Sequence, residues 1–215
     1  MKAPKWRELE AKHIREGRQK IVGIVLHDTV GAGTHRDTLY LVNPTHGRII
    51  SADFSVERNG SIWKLNPDLS RYYCLHAGRA TTFKGLTNAE VTRSTIGIEI
   101  CQHRKLSRRP VYTEVQVKSV AELCAWLTSE FQLTASDITT HQQIITDGSR
   151  EDPRNFPFEG PTGFWSLYRQ ALEKGEESAG FEATAKTTDS NATVDRLSSI
   201  AKKYYGKFKK LMRQE

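Results

Sequence analysis

Two short apolar runs, far apart in the chain, constrain the fold more than any other feature. Ile21-Val22-Gly23-Ile24-Val25-Leu26 and Thr95-Ile96-Gly97-Ile98-Glu99-Ile100 are rich in β-branched residues and nearly continuous. A strand with one solvated face alternates apolar with polar side chains. A run of this length without such alternation reads as a strand buried on both faces, inside a sheet covered by helices. The covering helices are also legible. Thr113–Phe131 carries Val117, Val120, Ala121, Cys124 and Leu127 at helical spacing, with Trp126 beside them. A helix is expected across Arg36–Leu41, after the turn Gly31-Ala32-Gly33, and a closing helix from about Thr162 to Glu173. Ser51–Leu65 reads as a hairpin, with Phe54 and Val56 before Arg58-Asn59-Gly60 and Ile62 and Trp63 after it; Asn-Gly is among the strongest short hairpin signals. Residues 5–20 are expected to form a short amphipathic helix, with Trp6, Leu9 and His13 at helical spacing. These patterns define an α/β domain.

Charge divides the chain. Residues 1–20 carry seven Lys/Arg against three Glu, giving +4, and residues 186–215 carry eight Lys/Arg against three acids, giving +5. The whole chain is +7, so the body between them is −2. Basic segments flanking a near-neutral body attract anionic polymers or surfaces. No stretch approaches the roughly 18 apolar residues of a membrane-spanning helix, and the N-terminal residues lack the apolar core of a secretory signal. If the substrate lies outside the cytoplasm, a separate pore or carrier is expected to release the protein. Cys74, Cys101 and Cys124 have no CxxC spacing and are expected to be buried thiols. Residues 174–193, rich in Glu, Ser, Thr and Ala, read as a flexible linker. Beyond it, Val194, Leu197, Ile200, Ala201, Tyr204, Phe208 and Leu211 mark a basic amphipathic helix over residues 194–215. The expected organisation is thus a basic segment 1–20, a domain 21–173, the linker and this helix.

Three places can carry chemistry. His27 directly follows the first buried run, and carboxyl ends of strands are where α/β folds open a crevice. His141, in Thr140-His141-Gln142-Gln143-Ile144, and Asp152, in Arg150-Glu151-Asp152-Pro153, lie eleven residues apart on one loop. Two imidazoles and a carboxylate form a three-ligand set that leaves a fourth tetrahedral position for water. Glu99 interrupts the second buried run, and a buried carboxylate needs a partner or a polar cleft; beside a metal it can move protons. Each has a structural alternative: His27 as a satisfied packing residue, His141 as a helix cap, Asp152-Pro153 as a turn, and Glu99 on an exposed edge.

Taken in order, His27 in IVLHDT, His76-Ala77-Gly78, Glu99 in TIGIEI, THQQI and REDP resemble the zinc N-acetylmuramoyl-L-alanine amidases of type 2, which include phage endolysins and peptidoglycan recognition proteins. The similarity covers about residues 20–173. It implies a central mixed β-sheet flanked by helices, with a C-terminal basic helix beyond. It also implies Zn2+ bound by His27, His141 and Asp152, with Glu99 as acid/base. Arg150 stands where the family usually has a Lys that stabilises the oxyanion; an Arg keeps the charge but does not give up a proton. His76 matches a residue lining the substrate cleft and is expected to bind substrate. Asp53 stands where many relatives have His and is given no catalytic task. His13, His35, His46 and His103 match no motif. Residues 193–214 resemble the first helix of a LysM wall-binding module, either incomplete or acting as a free cationic helix that meets an anionic surface. The implied substrate is bacterial peptidoglycan, the expected state a monomer, and the expected role an endolysin. A cytosolic recycling amidase and a non-catalytic wall receptor are the alternatives. Nucleic acid is not expected as a partner, since no reading helix or aromatic–basic array is present.

Overall fold

The computed structural model describes residues 1–103 and 111–185. The chain divides into two units, Met1–Gly175 and Glu176–Glu215. In the first unit two short strands, β1 (Arg7–Glu8) and β2 (Ile14–Glu16), precede the central strand β3 (Gly23–Asp28). Helix α1 (His35–Val42) leads into the hairpin of β4 (Phe54–Val56) and β5 (Ile62–Lys64). Strand β6 (Tyr72–Cys74) and a small hairpin, β7 (Thr82–Phe83) and β8 (Leu86–Thr87), follow. Helix α2 (Ala89–Ser94) runs directly into β9 (Thr95–Ile100). The rest is α3 (Glu114–Glu130), β10 (Ile138–Thr140), α4 (His141–Ile144) and α5 (Phe164–Ala185).

Among the described residues the main sheet has six strands in the order β1-β5-β4-β9-β3-β10. It is mixed. β3 runs parallel to both β9 and β10, β4 parallel to β9, and β5 antiparallel to β4. The two apolar runs are therefore the neighbouring central strands, with Ile24 opposite Ile96, Leu26 opposite Ile98 and His27 opposite Glu99.

The two faces of the sheet differ, and this decides where the site can be. Ile24, Leu26, Ile96, Ile98 and Ile100 join Val117, Val120, Ala121, Cys124, Phe164 and Tyr168 in one core, so α3 and the start of α5 cover this face. Each isoleucine, leucine, valine or phenylalanine among them, taken fully out of water, contributes about 1.5–3 kcal/mol before entropy is counted. Successive residues of a strand point to opposite faces, so Val25, His27, Gly97 and Glu99 lie on the other. There a smaller cluster of Val25, Ala77, Val91 and Ile144 covers only part of the sheet, and the rest opens into a cleft. Glu99 thus interrupts an apolar run because β9 turns its isoleucines to the helices and its Gly97 and Glu99 to the cleft.

The hairpin, both central strands and α3 lie where the sequence indicates, with Thr113 capping α3 by accepting from Gln116 N at 3.2 Å. All three cysteines are buried free thiols. Two expectations need correction. Residues 5–20 do not form a helix. Their backbone is captured by neighbouring sheet edges: β1 pairs with β5 and β2 with β6, while Leu9 N donates to Lys64 O and Ala11 N to Leu65 O. Trp6 packs on Trp126 and Phe54 at 5.0 and 6.1 Å between ring centroids, so residues 1–20 belong to the same compact unit as the body. The segment from Lys174 is not a linker at its start either, since α5 continues to Ala185. Its Ala, Glu and Lys residues favour helix. The expected basic helix over 194–215 and the linker beyond residue 185 lie outside the described residues.

Candidate active site

His27 is the fifth residue of β3 and is buried, facing the cleft. His141 is the first residue of α4, directly after β10. Thr140 caps that turn rather than His141: its hydroxyl accepts from Gln143 N at 3.2 Å, and the Gln143 side chain accepts from Thr140 N at 3.0 Å. This reciprocal capping box fixes the turn and frees the His141 ring to face inward. Asp152 comes from the loop before α5, where Gln142 N donates to the Asp152 carbonyl at 3.0 Å.

These three side chains converge. His27 Nδ1 and His141 Nδ1 are 3.1 Å apart, His27 Nδ1 and Asp152 Oδ2 3.2 Å, and His141 Nδ1 and Asp152 Oδ2 3.1 Å. A tetrahedral zinc ion with bonds of about 2.0–2.1 Å holds its ligand atoms about 3.3 Å apart, so the triangle has the size the ion requires. Its chemistry fits as well. A proton on one Nδ1 can satisfy one neighbour, whereas a cation satisfies all three lone pairs at once. Among the described residues this is the group of His, Cys, Asp and Glu arranged to hold a metal ion.

The electrostatics match a cation-binding pocket. Burial is the main cause lowering the His27 pKa, which keeps the ring neutral and able to donate a lone pair. Burial acts to raise Asp152, but the His141 and His27 imidazoles beside it outweigh this and hold the carboxyl well below its usual range. Glu99 is pushed the other way. Burial first, and then the neighbouring Asp152 and Asp28 carboxylates, raise it well above an ordinary glutamate, and its Oε2 is buried without a hydrogen-bond partner. A carboxyl in that state accepts a proton readily, as a general base must.

His27, His76, Glu99, His141, Arg150 and Asp152 line one cavity of about 850 Å³. The structure therefore brings all six expected site residues together. Arg150 reaches it from an exposed loop position. His76 is buried, with its Nδ1 3.1 Å from His27 Nε2 and its Nε2 3.3 Å from Thr95 O. Both ring nitrogens thus face protein atoms. His46, which matched no motif, also lines this cavity, as do Arg36, Tyr40 and Arg48. His35 pairs with Glu57 at 2.8 Å.

Residue-by-residue reading missed the supports of the site. Asp28, next to His27, is ion-paired with Arg154 and also accepts from Arg154 N at 2.7 Å. That clamp ties the loop carrying Asp152 to the end of β3. The adjacency of Asp28 to His27 and of Arg154 to Asp152-Pro153 was the available signal. Arg154→Ala should leave Asp28 buried without its cation. For a zinc ion held by the triangle, the expected loss of affinity is about tenfold, the lower end of what outer-sphere partners contribute, measured by competition with a chromogenic chelator. Unchanged affinity would remove the clamp from the site. Asp53 is also buried, ion-paired with Arg18 and accepting from Gly97 N at 2.9 Å.

The sequence and the fold match known proteins. The family model for N-acetylmuramoyl-L-alanine amidase matches residues 17–155. The chain belongs to this family of peptidoglycan amidases. Its fold is similar to that of a selenomethionine derivative of AmpD (19% identity, 78% of this chain and 94% of that one, TM-score 0.55). It is also similar to Staphylococcus aureus hydrolase AmiA in complex with its ligand (17% identity, 84% and 87%, TM-score 0.58). A third likeness is to the N-acetylmuramyl-L-alanine amidase AmiD from E. coli in complex with anhydro-N-acetylmuramic acid-L-Ala-D-γ-Glu-L-Lys (20% identity, 72% and 58%, TM-score 0.52). At these identities the likeness is one of fold. A search of curated proteins gives no significant match.

Proposed function

We propose that the chain is a zinc-dependent hydrolase that cleaves the amide between N-acetylmuramic acid and the L-alanine of the peptidoglycan stem peptide. What carries this function is the triangle of His27, His141 and Asp152 in the same cleft as Glu99, whose strand neighbour is His27 itself. A zinc ion held by those three residues would polarise the scissile carbonyl and acidify water. Glu99 removes a proton from the attacking water as its oxygen bonds to the lactyl carbonyl carbon. The carbonyl electron pair moves to oxygen, where the Arg150 guanidinium adds electrostatic stabilisation without proton transfer. Glu99 then gives its proton to the alanine nitrogen as the carbon–nitrogen bond breaks, leaving a free peptide amine and a lactyl carboxylic acid, which loses its remaining proton to solvent.

The basic segments 1–20 and 186–215, either side of a −2 body, suit an anionic cell wall. They support an endolysin-type role, acting on the wall after release by a separate pore, over the recycling of soluble muropeptides. Mass spectrometry of digested sacculi, with and without a chelator, tests the activity. Free stem peptides ending in an alanine amine, lost on chelation, are expected. Stoichiometric zinc without peptide release would make the protein a wall receptor. Faster turnover of soluble anhydromuropeptides than of intact sacculi would favour recycling.

A further inference from the structure

His27 can offer Nδ1 to a cation only if its proton sits on Nε2, so some neighbour must hold that tautomer. We propose that His76 is that positioning residue, and that the Thr95 carbonyl, held by Arg18, sets the proton arrangement of both rings; this rests on the cation site proposed above.

The assignment follows from one fixed point. The Thr95 carbonyl can only accept, and it lies 3.3 Å from His76 Nε2. The Thr95 hydroxyl, also 3.3 Å away, gives its own proton to Val91 O at 2.6 Å, so it too faces His76 as an acceptor. His76 Nε2 therefore carries the proton, and a neutral ring protonated there has a lone pair on Nδ1. That lone pair lies 3.1 Å from His27 Nε2, which donates to it. Nδ1 of His27 is then bare, and it is the atom that meets His141 and Asp152. With the opposite tautomers, a proton would point into the ligand triangle and no bond to a cation could form there. Histidine ligands in metal sites commonly have their second nitrogen fixed this way.

The fixed point is itself braced. Arg18 donates through Nη1 to the Thr95 carbonyl, through Nε to Tyr72 O at 2.8 Å, and through Nη2 to Asp53. Asp53 accepts in addition from Asn66 Nδ2 at 2.6 Å and from Gly97 N. Gly97 also seats the ring: a Cβ there would come within 2.4 Å of His76 Cγ, far inside van der Waals contact. The Asp53 that departs from the family pattern is thus the counterion of the arginine that holds the relay.

The test uses the full chain and Zn2+ alone. In the metal-free protein, long-range 15N–1H correlation of the imidazoles should show His27 and His76 both protonated at Nε2. His76→Phe, which keeps a ring without nitrogens, and Gly97→Ala, which displaces the ring, should each weaken Zn2+ binding about 10–100-fold in chelator competition. His76→Gln, whose amide can accept from His27 and donate to Thr95, should recover most of the loss. Wild-type affinity in His76→Phe, or His27 protonated at Nδ1 in the metal-free wild type, would overturn the relay. If the wild type itself binds no zinc, the underlying cation site fails instead. The spectrum of the wild type decides even if a variant does not fold.

Discussion

Glu99→Gln should retain stoichiometric zinc while losing at least about a hundredfold in the rate of stem-peptide release, the lower range for a general acid–base group. Glutamine matches the shape of glutamate, and β9 is locked between β3 and β4, so the backbone has no reason to move. The change removes the ability to take up and return a proton. It should also be well tolerated by the fold, because the buried Glu99 Oε2 has no hydrogen-bond partner to lose. A paired measurement of metal content and initial rate distinguishes this from loss of the site. A variant with full zinc and near-normal turnover would take Glu99 out of the chemistry.

Asp152→Ala should have the opposite signature, with activity and metal lost together. The carboxylate supplies the negative charge of the triangle and shares Oδ2 with both imidazoles, at 3.2 and 3.1 Å. Without it two neutral nitrogens remain, too few to complete a tetrahedral site. A ligand that binds only the folded state stabilises it by about 2.7 kcal/mol at a hundredfold excess over its dissociation constant. The melting temperature of the wild type should therefore rise with added zinc, and that of Asp152→Ala should not. An equal zinc-dependent rise in both proteins would mean that the ion binds elsewhere. Arg150→Ala is the matching control, since it should lose rate and keep the zinc-dependent rise.

The parts of this molecule that were legible in the sequence are those governed by local patterning. The isoleucines of β9, the capped α3 and the Asn-Gly hairpin each carry their signal within a few residues. The convergence of His27, His141 and Asp152 was legible by their order along the chain, because each sits beside a strand end or a turn. What was hidden depended on partners far away in sequence. The N-terminal residues have helical spacing, yet the exposed edges of β5 and β6 offer their backbone a better set of hydrogen bonds. Arg18 and Asp53 are ordinary surface residue types whose burial follows only from the meeting of β9, β6 and the segment before β3. His76 read as a cleft residue, and its engagement with His27 and Thr95 required the fold.

The register that sets His27 beside Glu99 has a further consequence for how such a chain can vary. Because side chains alternate across a strand, gaining or losing one residue within β9 would swing the glutamate in among the helices and present an isoleucine to the cleft. Packing and catalysis would fail in one step, with no half-working intermediate for selection to act upon. Insertions should therefore accumulate in the loops around the cavity, where Arg48 and Arg150 reside, and leave the central pair of strands at constant length. Substrate preference can drift there while the reactive groups keep the spacing of adjacent strands, about 4.8 Å.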